Sequence, residues 1–107
     1  MNEFDAQMAQ LRAEYRSVVA ADLLSLQQQA ATLCGDESDR TTLGAMVETL
    51  HRIAGGAGVF GLNRLSEQAR GLELDLNDWL SALLTHTYRA ALPELRAALA
   101  RLEVKAS

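Results

Sequence analysis

The strongest constraint on the fold comes from residues 43–61, LGAMVETLHRIAGGAGVFG. Apolar side chains recur there every three or four residues, which is the pattern of a helix with one buried face. They are Leu43, Met46, Val47, Leu50, Ile53 and Ala57. At about 100° of rotation per residue, His51 lies about 100° from Leu50, at the rim between the buried and the exposed face. The stretch therefore predicts a central helix that carries a partly exposed histidine.

Small residues surround this histidine on the predicted helix. Each glycine inside a helix costs roughly 0.8–1 kcal/mol relative to alanine, so selection for helix stability alone would avoid them. Two interpretations stay open: another helix packs closely on the glycines, or a large group, either a phosphoryl group or another protein, must reach the imidazole. The helical neighbours of His51 are Gly44, Val47, Ala54, Gly55 and Gly58.

The chain before this stretch also has helical periodicity. Hydrophobic residues make up 49% of the chain but aromatic residues only 5%, and there is one proline, which is typical of an all-α protein. Between residues 4 and 33 the apolar positions form two stripes whose phase slips near residues 17–21, which predicts a short helix, a bend and a longer helix. The first stripe contains Phe4, Met8, Leu11, Tyr15, Val18 and Val19, and the second contains Leu23, Leu26, Ala30 and Leu33.

Turn and capping residues separate these elements. Gly35 and the polar residues after it end the N-terminal helical region. We expect Asp39 or Thr41 to cap the central helix, because their side-chain oxygens can accept from its first free N–H groups. Gly61 marks the turn into the next helix.

The C-terminal half predicts two more helices. Asn77 and Asp78 are expected to form a loop or cap between them, and Pro93 is expected to kink the last helix. The two stripes are Leu62, Leu65, Ala69, Leu72 and Leu76, then Leu80, Leu83, Leu84, Tyr88, Leu92, Leu95, Leu99 and Leu102. The sequence thus predicts one domain over residues 1–107, an all-α, up-down antiparallel four-helix bundle with a short additional N-terminal helix.

Charge and composition argue against several classes of function. A net charge of −4 and a pI of about 5.0 disfavour nucleic-acid binding. No window of about 18 apolar residues could span a membrane, and the N-terminus lacks the features of a signal peptide. The single cysteine, Cys34, cannot form an intramolecular disulfide and fits a reducing compartment. We therefore expect a cytoplasmic protein.

Two kinds of site are also disfavoured. Glu48 and His51 form an E-x-x-H pair, but a di-iron bundle needs a second such pair. The only other histidine in the sequence is His86, and the residue three positions before it is Leu83, where a glutamate would be needed. No Gly-rich loop carries the Lys-Ser/Thr of a nucleotide site. We expect no metal and no cofactor on this chain.

The run from His51 to Leu62 resembles the histidine phosphotransfer (HPt) domain family. The resemblance is carried by a histidine followed by Ile53, Gly55, Gly56, Ala57 and Gly61, and the GGAGVFG run is most similar to the N-terminal phosphotransfer domain of chemotaxis histidine kinases. The chain departs from the family pattern at Ala54, where the family usually has a lysine.

The resemblance implies a phosphoryl carrier that is not itself an enzyme. His51 would accept and donate a phosphoryl group, and Glu73, 22 residues later, would bind its Nδ1–H so that Nε2 is the nucleophile. Arg70, on the same helical face as Glu73, is the first candidate for the cation missing at Ala54, and Arg52 is the second. Gly44, Val47, Glu48, Arg52, Ala54, Gly55 and Gly58 would form the binding surface.

The implied partners are receiver domains of response regulators, which would supply Mg²⁺, and a sensor or hybrid histidine kinase. We expect a monomer. Two alternatives stay open: a helical interaction module with this fold but no phosphotransfer, which Ala54 favours, and a phospho-acceptor domain excised from a larger histidine kinase.

Overall fold

Four α-helices account for most of the chain. The computed structural model describes residues 2–82 and 86–105. The helices are α1, Glu3–Ala31; α2, Arg40–Ala57; α3, Asn63–Ser81; and α4, His86–Arg101. Two 3-10 helices, Glu37–Asp39 and Gly58–Phe60, lie in the connections, and the described residues contain no strand. The predicted all-α bundle is confirmed.

Contacts between side chains show that neighbouring helices run antiparallel. Tyr15 of α1 packs beside Gly56 of α2, and Asp22 of α1 accepts from Arg52 one turn earlier in α2. Arg96 of α4 donates to the carbonyls of Ala30 (3.1 Å) and Leu33 (3.0 Å). These bonds tie α4 to the C-terminal end of α1 and to the residue two positions beyond it.

The predicted apolar stripes form the core. Leu43, Met46, Leu50 and Ile53 of α2 are at most 1% exposed, and they meet buried side chains from the other three helices. Those side chains include Val19, Leu26, Ala30, Leu65, Ala69, Leu76, Tyr88, Leu95 and Leu99. Because α2 is anchored by its stripe, the residues at its rim are held at a fixed angle to the bundle.

The N-terminal region differs from the sequence prediction. α1 is one continuous helix of 29 residues, so the predictions of a short additional N-terminal helix and of a bend were wrong. Residues 17–21, SVVAA, contain no glycine or proline to break the helix. The phase slip instead turns the first apolar stripe away from the core, and among residues 2–18 no side chain is buried.

A buried carboxylate holds the connection between α1 and α2. Gly35 has a positive φ of 88°, which suits glycine, and the next residues form the 3-10 turn. Asp39 occupies the N-cap position of α2, but its side chain makes no capping bond. Its carboxylate accepts from the backbone N–H groups of Cys34 (2.9 Å) and Gly35 (2.7 Å) and from the hydroxyl of Tyr88. Asp39 therefore joins this connection to α4.

The end of α3 also differs from the prediction. Asn77 and Asp78 do not interrupt the helix, which continues to Ser81 and includes Leu80. Both side chains are exposed, so neither has to leave the helix to reach water. α4 passes through Pro93 as one helix. The predicted stripe positions Leu83 and Leu84 lie outside the described residues. No helix of the described part is long and apolar enough to cross a membrane.

Candidate functional site

The site is built on the rim of α2 that faces α3. Leu50 and Ile53, on either side of His51, are buried at 0% and 1% exposure, so the backbone of α2 is fixed on both sides of the histidine. The His51 side chain itself is 78% exposed. The imidazole thus stands on a rigid helix with most of its surface open to a partner.

One ring nitrogen of His51 is within hydrogen-bonding distance of a carboxylate. The Glu73 carboxylate of α3 lies 2.8 Å from Nδ1 and is itself only 16% exposed. A carboxylate can only accept a hydrogen bond, so Nδ1 carries the hydrogen and Nε2 of the neutral ring keeps its lone pair. The antiparallel packing of α2 and α3 brings together two residues 22 positions apart, as the resemblance implied.

The glycines near His51 differ in what surrounds them. A Cβ added at Gly44 or Gly55 would meet no described atom within 4 Å. At Gly56 it would lie 2.7 Å from the hydroxyl of Tyr15, whose ring stacks on Phe60 with centroids 4.5 Å apart. Close helix packing therefore accounts for Gly56, whereas open space lies beside Gly44 and Gly55.

The other residues of the predicted binding surface lie in three environments. Glu48 and Gly58 are exposed, and Val47 is half-buried against the core. Ala54 is only 5% exposed, so its assignment to the binding surface was wrong: its methyl group packs inside the bundle. Ser66, which the sequence reasoning missed, donates to the Ala54 carbonyl at 2.6 Å and ties α3 to α2 beside the site.

The two candidate cations are placed differently. Arg52 reaches Asp22 of α1 at 3.5 Å, on the side of α2 away from Glu73. Arg70 is exposed on α3, one turn before Glu73, and makes no hydrogen bond or ion pair with any described residue. Of these two candidates, Arg70 is therefore the one whose side chain is not engaged by another described residue.

The site is a convex surface. Clefts of about 550, 390 and 290 Å³ lie along α3, α4 and the C-terminal residues, and His51 lines none of them. Within residues 2–82 and 86–105, no three His, Cys, Asp or Glu side chains are grouped so that they could hold a metal ion. An exposed imidazole outside these clefts suits docking of a macromolecule better than enclosure of a small substrate.

One family of known proteins is similar to this chain over most of its length. Residues 7–105 match the model of the Hpt domain family, and this match spans nearly the whole chain. No curated protein and no solved structure matches this chain. Because the family match extends over all four helices and includes the paired histidine and glutamate, the chain belongs to the Hpt domain family, whose members carry phosphoryl groups in phosphorelays.

Proposed function

We propose that His51 accepts a phosphoryl group at Nε2 from the phospho-aspartate of one receiver domain and passes it to the aspartate of another. The observation that carries this proposal is the contact of 2.8 Å between Nδ1 and Glu73 beside a ring that is 78% exposed. A nucleophilic imidazole needs one nitrogen held as N–H and the other free, and this pair provides both.

The reaction is a displacement at phosphorus. Nε2 donates its lone pair to form the N–P bond, the bond between phosphorus and the acyl oxygen breaks, and the receiver's aspartate leaves as a carboxylate. The imidazole then carries positive charge, and the Glu73 carboxylate stabilises it through the Nδ1–H. The receiver would supply Mg²⁺ for the transferring phosphoryl oxygens, so this chain needs no metal of its own.

The surface around His51 is suited to the approach of such a domain. Gly44 and Gly55 leave open space on the helix before and after the histidine. Glu48 and Gly58 extend the same exposed rim. A receiver pocket can therefore approach the imidazole from the side of Gly55 and Gly58 without meeting a large side chain there.

We also propose that Arg70 supplies the cation that the family usually has as a lysine at the position of Ala54. The phosphoryl group adds negative charge next to His51, and a guanidinium nearby would stabilise it. Arg70 is exposed, is not engaged by other described residues, and lies on the helix that carries Glu73.

The function is tested by phosphorylating the protein with phosphoramidate and with candidate phosphorylated receivers. We expect one phosphate per chain that is labile in acid and stable in base, and a phosphohistidine signal in ³¹P NMR. His51→Gln should abolish this phosphate, whereas the matched change His86→Gln should keep it.

Three results would contradict the proposal. A folded wild-type protein that takes no phosphate from either donor would favour the alternative of an interaction module without phosphotransfer. Phosphate retained in His51→Gln would move the site elsewhere. A chain that accepts phosphate only from an ATP-dependent kinase, and never from a receiver, would favour the acceptor domain of a larger kinase.

A further inference from the structure

The N-terminal half of α1 has large apolar side chains that the bundle does not cover. Phe4, Leu11 and Val18 are 66%, 48% and 57% exposed. The buried residues of α1 begin only at Val19. The molecule measures 55 × 20 × 20 Å, much longer than the roughly 27 Å of the 18-residue helix α2, because α1 projects beyond the end of the bundle.

These apolar residues follow a regular spacing. Phe4, Met8, Leu11, Tyr15 and Val18 are separated by four, three, four and three residues, the a/d spacing of a coiled-coil seam. At about 100° per residue, this seam lies about 70° from the face of α1 that enters the core. One straight helix therefore presents two apolar faces. The bundle covers the first, and of the second it contacts Tyr15 but leaves Phe4, Leu11 and Val18 exposed.

The projecting segment also has little to stabilise it within one copy. Isolated helices shorter than about 12–15 residues are marginal in water. Apart from the Asn2 side chain, which accepts from the Asp5 N–H at 2.8 Å, and a bond of 3.2 Å from Gln10 to Glu14, no described side-chain contact supports its first turns. A contiguous apolar seam on such a helix is typical of an interaction surface.

We propose that residues 3–16 of α1 pair antiparallel with the same segment of a second copy. Met8 then packs on Leu11 of the second copy, and Phe4 packs on Tyr15 of the second copy. The charged residues beside the seam support this alignment: Asp5 of each chain lies opposite Arg12 of the other, which gives two opposite-charge pairs per dimer. Neither side chain is bonded to another described residue of its own chain.

Other alignments lack this complementarity. If the antiparallel helices shift by one heptad, Arg12 lies opposite Arg12 and Glu14 opposite Glu14, so both pairs repel. If the helices run parallel, Asp5 has no cation opposite it, and Glu14 lies opposite Val19. The sequence alone led us to expect a monomer, because it did not show that this stripe is left outside the bundle.

The end of the bundle can receive the tip of the second helix. Tyr15 stacks on Phe60, and the adjacent Val59 is 75% exposed. Phe4 of the second copy would reach this apolar end, so the two bundles would lie at opposite ends of the paired helices. The contact buries roughly 1,000 Å² in total, near the lower limit for stable interfaces, so we expect self-association in the micromolar range.

The first test compares two substitutions by sedimentation equilibrium of the 107-residue chain. Leu11→Asp places a charge in the seam and should raise the dimer dissociation constant at least tenfold. Ala13→Asp makes the same addition on the opposite side of the helix, at an exposed position, and should change it less than threefold. A wild-type protein that stays monomeric to millimolar concentration, or an equal loss in both variants, would overturn the proposal.

The second test addresses the antiparallel alignment. Asp5→Arg alone and Arg12→Asp alone should each weaken self-association, because every dimer then has two like-charge pairs. A mixture of the two variants restores two opposite-charge pairs and should form heterodimers more tightly than either variant forms homodimers. A mixture that associates no better than the separate variants would rule out this alignment, whatever the phosphotransfer activity.

Discussion

His51 is oriented by a carboxylate that belongs to another helix. The hydrogen bond from Nδ1 to Glu73 spans 22 residues of sequence, and because an ionised carboxylate only accepts, it favours the tautomer with the hydrogen on Nδ1. At the scale of single residues, the reactivity of the histidine is therefore a property of the pair, and each partner can be changed separately.

Glu73→Ala removes the acceptor while leaving the nucleophile in place. We expect phosphotransfer to slow by about 10- to 100-fold, since loss of a carboxylate that orients a functional histidine ring typically has an effect of this size. ¹⁵N-detected NMR of the ring should show a mixture of the two neutral tautomers instead of Nδ1–H alone. Glu73→Gln, which keeps an acceptor oxygen, should retain more activity than Glu73→Ala. An unchanged tautomer and rate in Glu73→Ala would show that the carboxylate plays no part.

Arg70→Ala and Arg52→Ala form a matched pair of cation deletions. Loss of Arg70 should reduce phosphotransfer several-fold, because its guanidinium is not otherwise engaged and can approach the phosphoryl group. Loss of Arg52, which is directed to Asp22, should have little effect on the rate. Single-turnover transfer from a phosphorylated receiver measures both. A larger loss in Arg52→Ala would reverse the assignment.

At the scale of the helices, α2 uses its glycines in two ways. Gly55 faces open space, whereas Gly56 faces the ring of Tyr15. Gly55→Ala should therefore raise the free energy of unfolding by up to about 1 kcal/mol through helix propensity. Gly56→Ala should be less stable than Gly55→Ala by about 1 kcal/mol or more, because Tyr15 must move off Phe60. Chemical denaturation of both variants measures the difference, and equal stabilities would contradict the packing role of Gly56.

Gly55→Gln tests the docking surface separately from stability. The longer side chain would extend into the space beside His51, so transfer to and from a receiver should fall at least tenfold while the thermal midpoint stays near that of the wild type. Phosphorylation by phosphoramidate, a small donor, should be affected much less. Equal loss with both donors would point to a disturbed histidine instead of a blocked surface.

The helical stripes were predictable because burial imposes a period of 3.6 residues on the sequence. That α1 is a single helix was not predictable, because a phase slip is compatible with two structures. Either the backbone bends, or the helix stays straight and presents two apolar faces. The same ambiguity applies to Asn77 and Asp78, which favour caps but are tolerated on the exposed face of α3.

The candidate site shows a similar division. The histidine, the glutamate and the glycine-rich rim could be identified from spacing and resemblance. The burial of Ala54 could not, because an alanine gives no signal of its own and its position depends on how α3 covers α2. Ser66 was missed because serine is common on helix surfaces, and its bond to the Ala54 carbonyl exists only in the folded bundle.

At the scale of the whole molecule, we expect Asp39 to make stability depend on pH in the acid range. Burial raises the pKa of its carboxyl, but hydrogen bonds from the Cys34 N–H, the Tyr88 hydroxyl and the Gly35 N–H favour the ionised form and outweigh it, so the pKa of Asp39 is lowered. The stability that Asp39 contributes is therefore present above the unfolded value of about 3.9 and is lost as pH falls through the folded pKa.

Asp39→Asn should lower the free energy of unfolding at neutral pH by about 1–3 kcal/mol, because donors that bond the carboxylate lose their charged acceptor. The variant should also lose much of the decline in stability that we expect for the wild type below pH 4. Tyr88→Phe, which removes one of the donors, should be less damaging. Urea unfolding between pH 2.5 and pH 7 measures the free energy of unfolding of both proteins. An equal decline of this free energy below pH 4 in the wild type and in Asp39→Asn would contradict the role of Asp39.

The bare rim of α2 makes the acceptor site conditional on folding. A peptide of residues 40–57 has three glycines and no partner for its apolar face, so in isolation it should be mostly unfolded. An unfolded or nicked chain would still contain His51 but would lack both the helical surface and the Glu73 contact. A receiver that recognises this surface would therefore discriminate intact from damaged copies, and phosphate would enter the pathway only through molecules whose core is complete.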